Sequence, residues 1–235
     1  MAKTHDTWKV LPHGPIEKLS DRLWRVEGKL DPMCRVMAIA KRADGSLVVH
    51  NGIALGDAEM AEIDAFGKVG TILVPNGYHR LDAKVFADRY PEARVLCPAN
   101  AKTKVEQVVP VAGSYEDFGT DASVELVTLR GTKEREGVMI VRGTDGTSLV
   151  FNDAIFNMPH GAGFTGFVLR RVTASTGGPT VSRIMKWLVI ADKPAFRAHL
   201  EELAKLPDLR RILVSHHETI TDDPAGTLAR VAAAI

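Results

Sequence analysis

Hydrophobic and polar positions alternate along the first third of the chain in a way that predicts strands. LWRVEG (23–28), RVMAIAK (35–41) and SLVVHN (46–51) carry apolar and β-branched residues, and Ala43-Asp44-Gly45 supplies a hairpin turn between the last two. DAEMAEIDAFG (57–67) switches to helical spacing, with Met60, Ile63 and Phe66 on one side and Gly67 as the stop. TILV (71–74) predicts the next strand, Leu81–Tyr90 a helix and ARVLCP (93–98) a short strand. VELVTL (124–129), GVMIVRG (137–143) and SLVFND (148–153) predict three more strands, with Asp145-Gly146 turning the last pair. Residues 157–181 are Gly-rich and predict irregular structure. PAFRAHLEELAKL (194–206) predicts a helix with Pro194 in its first turn, RILVS (211–215) a strand and PAGTLARVAAA (224–234) a closing helix.

The pattern echoes itself. MAIAKRADGSLVVHNGIAL (37–55) resembles VMIVRGTDGTSLVFNDAIF (138–156), and ILVPN (72–76) resembles ILVSHH (212–217). In that comparison Leu47 and Val48 sit opposite Leu149 and Val150, His50 and Asn51 opposite Asn152 and Asp153, and Asn76 opposite His216. Two pseudo-repeated halves of strand, strand, helix and strand imply an α/β fold: two sheets face to face with helices outside, a four-layer αβ/βα sandwich. Such a duplication brings equivalent strand ends together, here Asn51, Asn76, Asp153 and His216. Strand C-terminal ends are also where open α/β sheets bind ligands. The whole of 1–235 is expected to form a single domain, with 157–187 as a Gly-rich insertion that serves as a lid or a subunit contact.

Composition narrows the class. The chain has 235 residues, 45% hydrophobic and 25% charged, the balance of a globular protein with a substantial core. A formal net charge of +1 gives no long-range field for nucleic acid or an anionic membrane. Cys34 and Cys97 form no CxxC pair, which argues against a disulfide framework and against a cysteine zinc site. No segment is apolar for long enough to span a bilayer, and MAKTHDTWKV lacks the apolar centre of a secretory signal, so a cytoplasmic protein is expected.

LVFNDAIFN and ILVSHH, at the strand ends just described, resemble segments of the metallo-β-lactamase superfamily, from about residue 20 to about residue 220. The resemblance implies the αβ/βα sandwich, with Asp153 in the position of that family's bridging aspartate and His216 in that of its final histidine. The family's H-x-H-x-D-H turn would fall on Asn76, Tyr78, Arg80 and Leu81, none of which keeps the family residue; a shift of one position recovers only His79. The family's third histidine would lie near LRGTKEREG (129–137), which has none. The resemblance is therefore to a branch with a degenerate metal site, in which a two-metal centre and any other cofactor are not expected.

Two arrangements suit the remaining cleft, lined by Asn76, Tyr78, His79, Arg80 and Asp82. In one, Arg80 replaces the metal's charge and pairs with Asp153. In the other, a single Zn, Fe or Mn ion is held by His79, Asp82, Asp153 and His216, the first two sharing a face at the start of a helix. Taken singly, His79 also suits a turn residue bonded to a backbone carbonyl, and Asp82 an acid at a helix N-terminus. The expected function is binding of a small-molecule ligand or partner in the cleft. The alternative is a noncanonical hydrolase, mononuclear or metal-free, with His216 and Asp153 as an acid–base pair. A homo-oligomer built on the 157–187 segment is a third arrangement. GAGFTG (161–166) matches a dinucleotide fingerprint in letters, but no strand leads directly into it and no ribose-binding acid follows, so it reads as loop.

Overall fold

A computed structural model describes residues 4–30 and 33–235, so the first three residues of the opening segment lie outside the described residues. The first half runs β1 (Glu17–Lys18), β2 (Leu23–Leu30), β3 (Met33–Lys41), β4 (Leu47–His50), α1 (Asp57–Phe66), β5 (Val69–Leu73), α2 (Ala83–Arg89) and β6 (Arg94–Leu96). These strands form one six-stranded sheet in sequence order, antiparallel as far as β4 and parallel from β4 to β6. A single-turn 3-10 helix, α3 (Lys102–Val105) and a second 3-10 turn (Tyr115–Phe118) lead into the second half. There β7 (Val124–Thr128), β8 (Gly137–Gly143) and β9 (Gly146–Phe151) are followed by β10 (Phe156–Met158), α4 (Gly163–Phe167), β11 (Gly178–Thr180), α5 (Lys193–Leu203), β12 (Leu209–Leu213) and α6 (Pro224–Ala233). The second sheet has the order β12-β9-β8-β7, and β10 pairs with β11 in a separate ribbon.

Side-chain alternation sorts these elements into four layers. On β3, Met37 and Ile39 join Met60 and Ile63 of α1 and Val85 and Phe86 of α2 on the outer face. The intervening Ala38 and Ala40 face the other way and meet Met139, Val141, Val150 and Leu213 of the second sheet. Small alanines at that level let the sheets approach closely. Beyond the second sheet, Val138, Ile140, Leu149 and Ile212 pack on Phe196 and Leu200 of α5 and Leu228 and Val231 of α6. Both outer helices start where the sequence places a cap and a proline: Asp192 accepts the Ala195 amide at 2.9 Å, and Asp223 accepts that of Gly226 at 3.0 Å.

Each sheet contains an antiparallel hairpin followed through helical structure by a strand parallel to the hairpin's second member. The residue correspondence differs from the one expected from letters. With Ile72 and Ile212 equated, Val49 falls with Leu149 and His50 with Val150, because Val49 pairs with Ile72 and Leu149 with Ile212. The cause is turn length: residues 42–46 form the loop between Lys41 and Leu47, whereas Thr144 and Asp145 alone connect Gly143 to Gly146. The expectation of irregular structure over 157–181 is also corrected. That stretch holds part of the β10–β11 ribbon, α4 and a π-helical turn at Val168–Val172, with a second π-helical turn at Met185–Val189. Glycine is required at 166, where a Cβ would lie 2.0 Å from the Gly161 carbonyl oxygen. Among the described residues, no helix is long and apolar enough to cross a membrane.

Candidate functional site

Because β4 and β5 are parallel, as are β9 and β12, the chain leaves β5, β9 and β12 on the same side of the sandwich. The exits carry Asn76, Asp153 and His216. Asn76 organises the group. Its Oδ1 accepts the backbone amides of Tyr78 at 2.8 Å and His79 at 3.0 Å, closing an Asx turn that presents the His79 ring. Its Nδ2 donates to Asp153 Oδ2 at 2.8 Å and to Glu136 Oε1 at 2.7 Å. One amide thus uses both donors and its acceptor to join a turn to two carboxyl groups.

Two imidazoles converge on the other oxygen of Asp153. His79 Nε2 and His216 Nε2 each lie 3.1 Å from Asp153 Oδ1. The far nitrogen of His216, Nδ1, lies 2.7 Å from the Cys34 carbonyl, which only accepts. Nδ1 therefore carries a proton, and in neutral His216 the Nε2 lone pair points at a carboxylate oxygen. That contact is favourable only when a cation, whether a proton or a metal ion, sits between the two. The ring of His216 stacks on Phe156 at 5.4 Å with planes 6° apart, which fixes its orientation.

Burial alone would raise Asp153, but the attraction of His79 and the hydrogen bonds from His216 and His79 prevail and hold it well below the usual carboxylate range. Burial likewise works against a charged His216, yet its bond to Asp153 and that carboxylate's charge leave it raised. Glu136 behaves oppositely: burial and the neighbouring charge of Asp153 push it well above the ordinary range. The two acids linked by Asn76 are therefore driven apart, one ionised and one neutral.

Not every expected cleft residue is here. A cavity of about 570 Å³ opens over the cluster, and its walls include Asn51, Asn76, Tyr78, His79, Asp153 and His216. Arg80 and Asp82 are not among its walls, and both expectations for them are corrected. Arg80 is buried, but its Nη1 donates to the Lys104 carbonyl and to Gln107 Oε1 (2.9 Å), so it does not pair with Asp153. Asp82 precedes α2 and turns to Arg35 Nη2 (2.5 Å), His5 Nδ1 (2.7 Å) and the Ala54 amide (3.2 Å), which removes it from the candidate ligand set. The physical reason is the Asx turn: it points His79 at Asp153 and sends Arg80 and Asp82 into other walls.

Three residues in or beside this region were missed by sequence reasoning. Glu136, between β7 and β8, reaches the centre through Asn76, in the stretch where the family resemblance implies a third histidine; its only signal is a single acid directly before the apolar run of β8. Arg35 is buried on β3 and paired with Asp82, and its charge alone gave no reason to place it inside. His50, at the end of β4, is buried with no hydrogen-bond partner for either ring nitrogen among the described residues. Burial, with His79 nearby, pushes its pKa down to about 3.

The donor set decides which metal content suits the site. Asn76 uses its amide in hydrogen bonds, Tyr78 points outward, Arg80 is a cation and Leu81 has no donor, so a two-metal centre does not fit. His79, Asp153 and His216 do offer three ligand atoms, all within 4.8 Å of one another. Three N and O donors with a side open to a cavity match the demand of a single catalytic ion.

No family model matches the chain, and no curated protein sequence matches it. Its fold is that of the crystal structure of VMB-1 at pH 5.5, a metallo-β-lactamase, with a TM-score of 0.60, 9% identity, 96% of this chain covered and 99% of that one. The chain therefore has the metallo-β-lactamase fold, an αβ/βα sandwich.

Proposed function

We propose that the protein is a hydrolase acting on a small molecule, with one divalent cation held by His79, Asp153 and His216. A single observation carries this reading: two imidazole Nε2 atoms meet one Asp153 oxygen at 3.1 Å, while His216 Nδ1 is committed to a carbonyl. A zinc, iron or manganese ion bound there supplies Lewis acidity and acidifies water. Asn76 holds Asp153 by its second oxygen and fixes the turn that carries His79. With Glu136 raised and so held neutral, Asp153 is the one carboxylate charge the centre would offer a cation. The segment 157–187 acts as a wall that shields the reaction from water.

Metal analysis of the purified chain tests this. About one ion per chain is expected, lost in Asp153→Asn, with a rise in Tm on adding zinc or manganese to the wild type only. Metal-free protein whose Tm ignores both metals overturns it. That result would favour a second reading, a ligand-binding pocket without metal. The support for it is that the raised His216 and lowered Asp153 already satisfy each other as an ion pair.

A further inference from the structure

The cavity has two unlike sides. Beside the His79–Asp153–His216 cluster much of the cavity wall is apolar: Phe156, which stacks on His216, and Leu169, Ile184, Met185, Leu188 and Val189, with Thr173, Ser175 and Ser182 among them. Several of these come from the 157–190 segment, and the apolar character continues outward. Ile184 is 51% exposed and Leu188 66% exposed while lining the cavity, and Trp187 beside them is 75% exposed. Apolar surface of this extent at a cavity mouth marks an interaction site rather than scattered surface residues.

Charge indicates what enters. From Ala154 to Ala191 the chain has no Asp or Glu, although 29 of its 235 residues are acidic, and it carries Arg170, Arg171, Arg183 and Lys186. Two further cations line the cavity, Lys104 and Arg135. Lys104 Nζ is spent on the Tyr78 hydroxyl at 2.8 Å, and Arg135 Nη1 on the Leu188 carbonyl at 3.3 Å; neither forms an ion pair among the described residues. The remaining cation of the cavity wall, Arg35, is paired with Asp82. Two cations without an acidic partner among the described residues, Lys104 and Arg135, therefore line the cavity together with the apolar residues. A symmetric contact of the 154–191 segment with itself would set its cations against one another with no acid of that segment to pair them, which disfavours a second copy as the occupant.

We propose that the ligand of this cavity is an anionic amphiphile: an apolar chain lies along Phe156, Leu169, Ile184, Met185, Leu188 and Val189, and an anionic group is held by Lys104 and Arg135. The bond to be cleaved then faces His79 and His216, a placement that rests on the hydrolase reading above. A cavity of about 570 Å³ is of the size that takes a small-molecule ligand.

The test uses straight-chain carboxylates below their micellar concentration, with binding read by calorimetry and by the fluorescence of Trp187. Dodecanoate is expected to bind saturably, with affinity rising about fourfold per added methylene from hexanoate upward. Lys104→Ala combined with Arg135→Ala should weaken dodecanoate about tenfold and leave dodecanol unchanged. Leu188→Asp, at an exposed position that tolerates a charge, should weaken both. Wild-type protein treated with EDTA should bind dodecanoate as untreated protein does, so loss of the metal site and loss of the amphiphile site are read separately. Affinity independent of chain length, or a loss of dodecanoate binding on EDTA treatment rather than in the Lys104/Arg135 variant, overturns the assignment. So does sedimentation with anionic phospholipid vesicles without saturable binding of monomeric dodecanoate, which would make the face a membrane surface. Dimerisation that buries Trp187 and blocks dodecanoate would overturn it in favour of a second copy.

Discussion

His50 ties the fold to pH in a way that can be measured. Its ring is buried at the end of β4 with both nitrogens unpartnered among the described residues, and burial moves its pKa from 6.5 to about 3. The unfolded chain binds a proton near pH 6.5; the folded chain refuses it down to about pH 3. Between those values the unfolded state holds more protons, so stability rises with pH and falls on acidification. Each pH unit in that window is worth about 1.4 kcal/mol, so acidification from pH 6.5 to pH 4 costs ~3 kcal/mol through this side chain alone. His50→Leu removes the titration and both orphaned nitrogens at similar volume. Urea unfolding of wild type and variant from pH 7.5 to pH 4 is the assay. The variant should be at least as stable at neutral pH, and the curves should separate by ~3 kcal/mol at pH 4. Parallel curves over the whole range would refute the reasoning, because they would mean that the imidazole is solvated or paired.

Other perturbations probe neighbouring parts of the structure. Glu136 is raised in the fold, so its contribution is present below the ordinary 4.5 and is lost as pH rises from there towards the folded value; Glu136→Gln should remove that loss, seen as a smaller fall in stability than in wild type as pH rises from 4.5, and an unchanged fall would refute it. Asp82→Ala leaves the buried Arg35 guanidinium without its carboxylate and should cost roughly 3–5 kcal/mol in chemical denaturation; a cost below ~1 kcal/mol would show that Arg35 is not confined. Gly137→Ala places a Cβ 2.0 Å from the Tyr115 ring and should cost about 1–3 kcal/mol by displacing that ring, visible as a change in near-UV circular dichroism.

Most strands and the longer helices were legible in the letters. The period-two alternation that separates Met37 and Ile39 from Ala38 and Ala40 is the alternation that separates helix-facing from sheet-facing sides. Asp192-Lys193-Pro194 and Asp223-Pro224 mark their helix starts through local hydrogen bonds and a restricted φ, which need no distant partner. The 157–191 segment was not legible: its glycines obscure any period, and its short helical and π-helical turns hold through contacts with the rest of the cavity wall.

At the site, sequence order alone nominated Asp153, His79, His216 and Asn76, because strand ends are visible as apolar runs that stop at polar residues. The direction of each side chain was not visible. Whether Arg80 or His79 turned to Asp153 was decided by two backbone amides donating to Asn76 Oδ1, and Asp82 was taken by Arg35 and His5 from distant parts of the chain. Glu136, at the end of the β7–β8 connection, joined the site through the hydrogen bond it accepts from Asn76. The sequence by itself determined the elements, their order and the polar residues at their ends, since periodicity and caps act over a few neighbouring positions. The folded chain settles which of those residues share one point in space and which acid is ionised, because burial and charge pairing depend on groups from distant positions, as with Cys34 and His216, 182 positions apart.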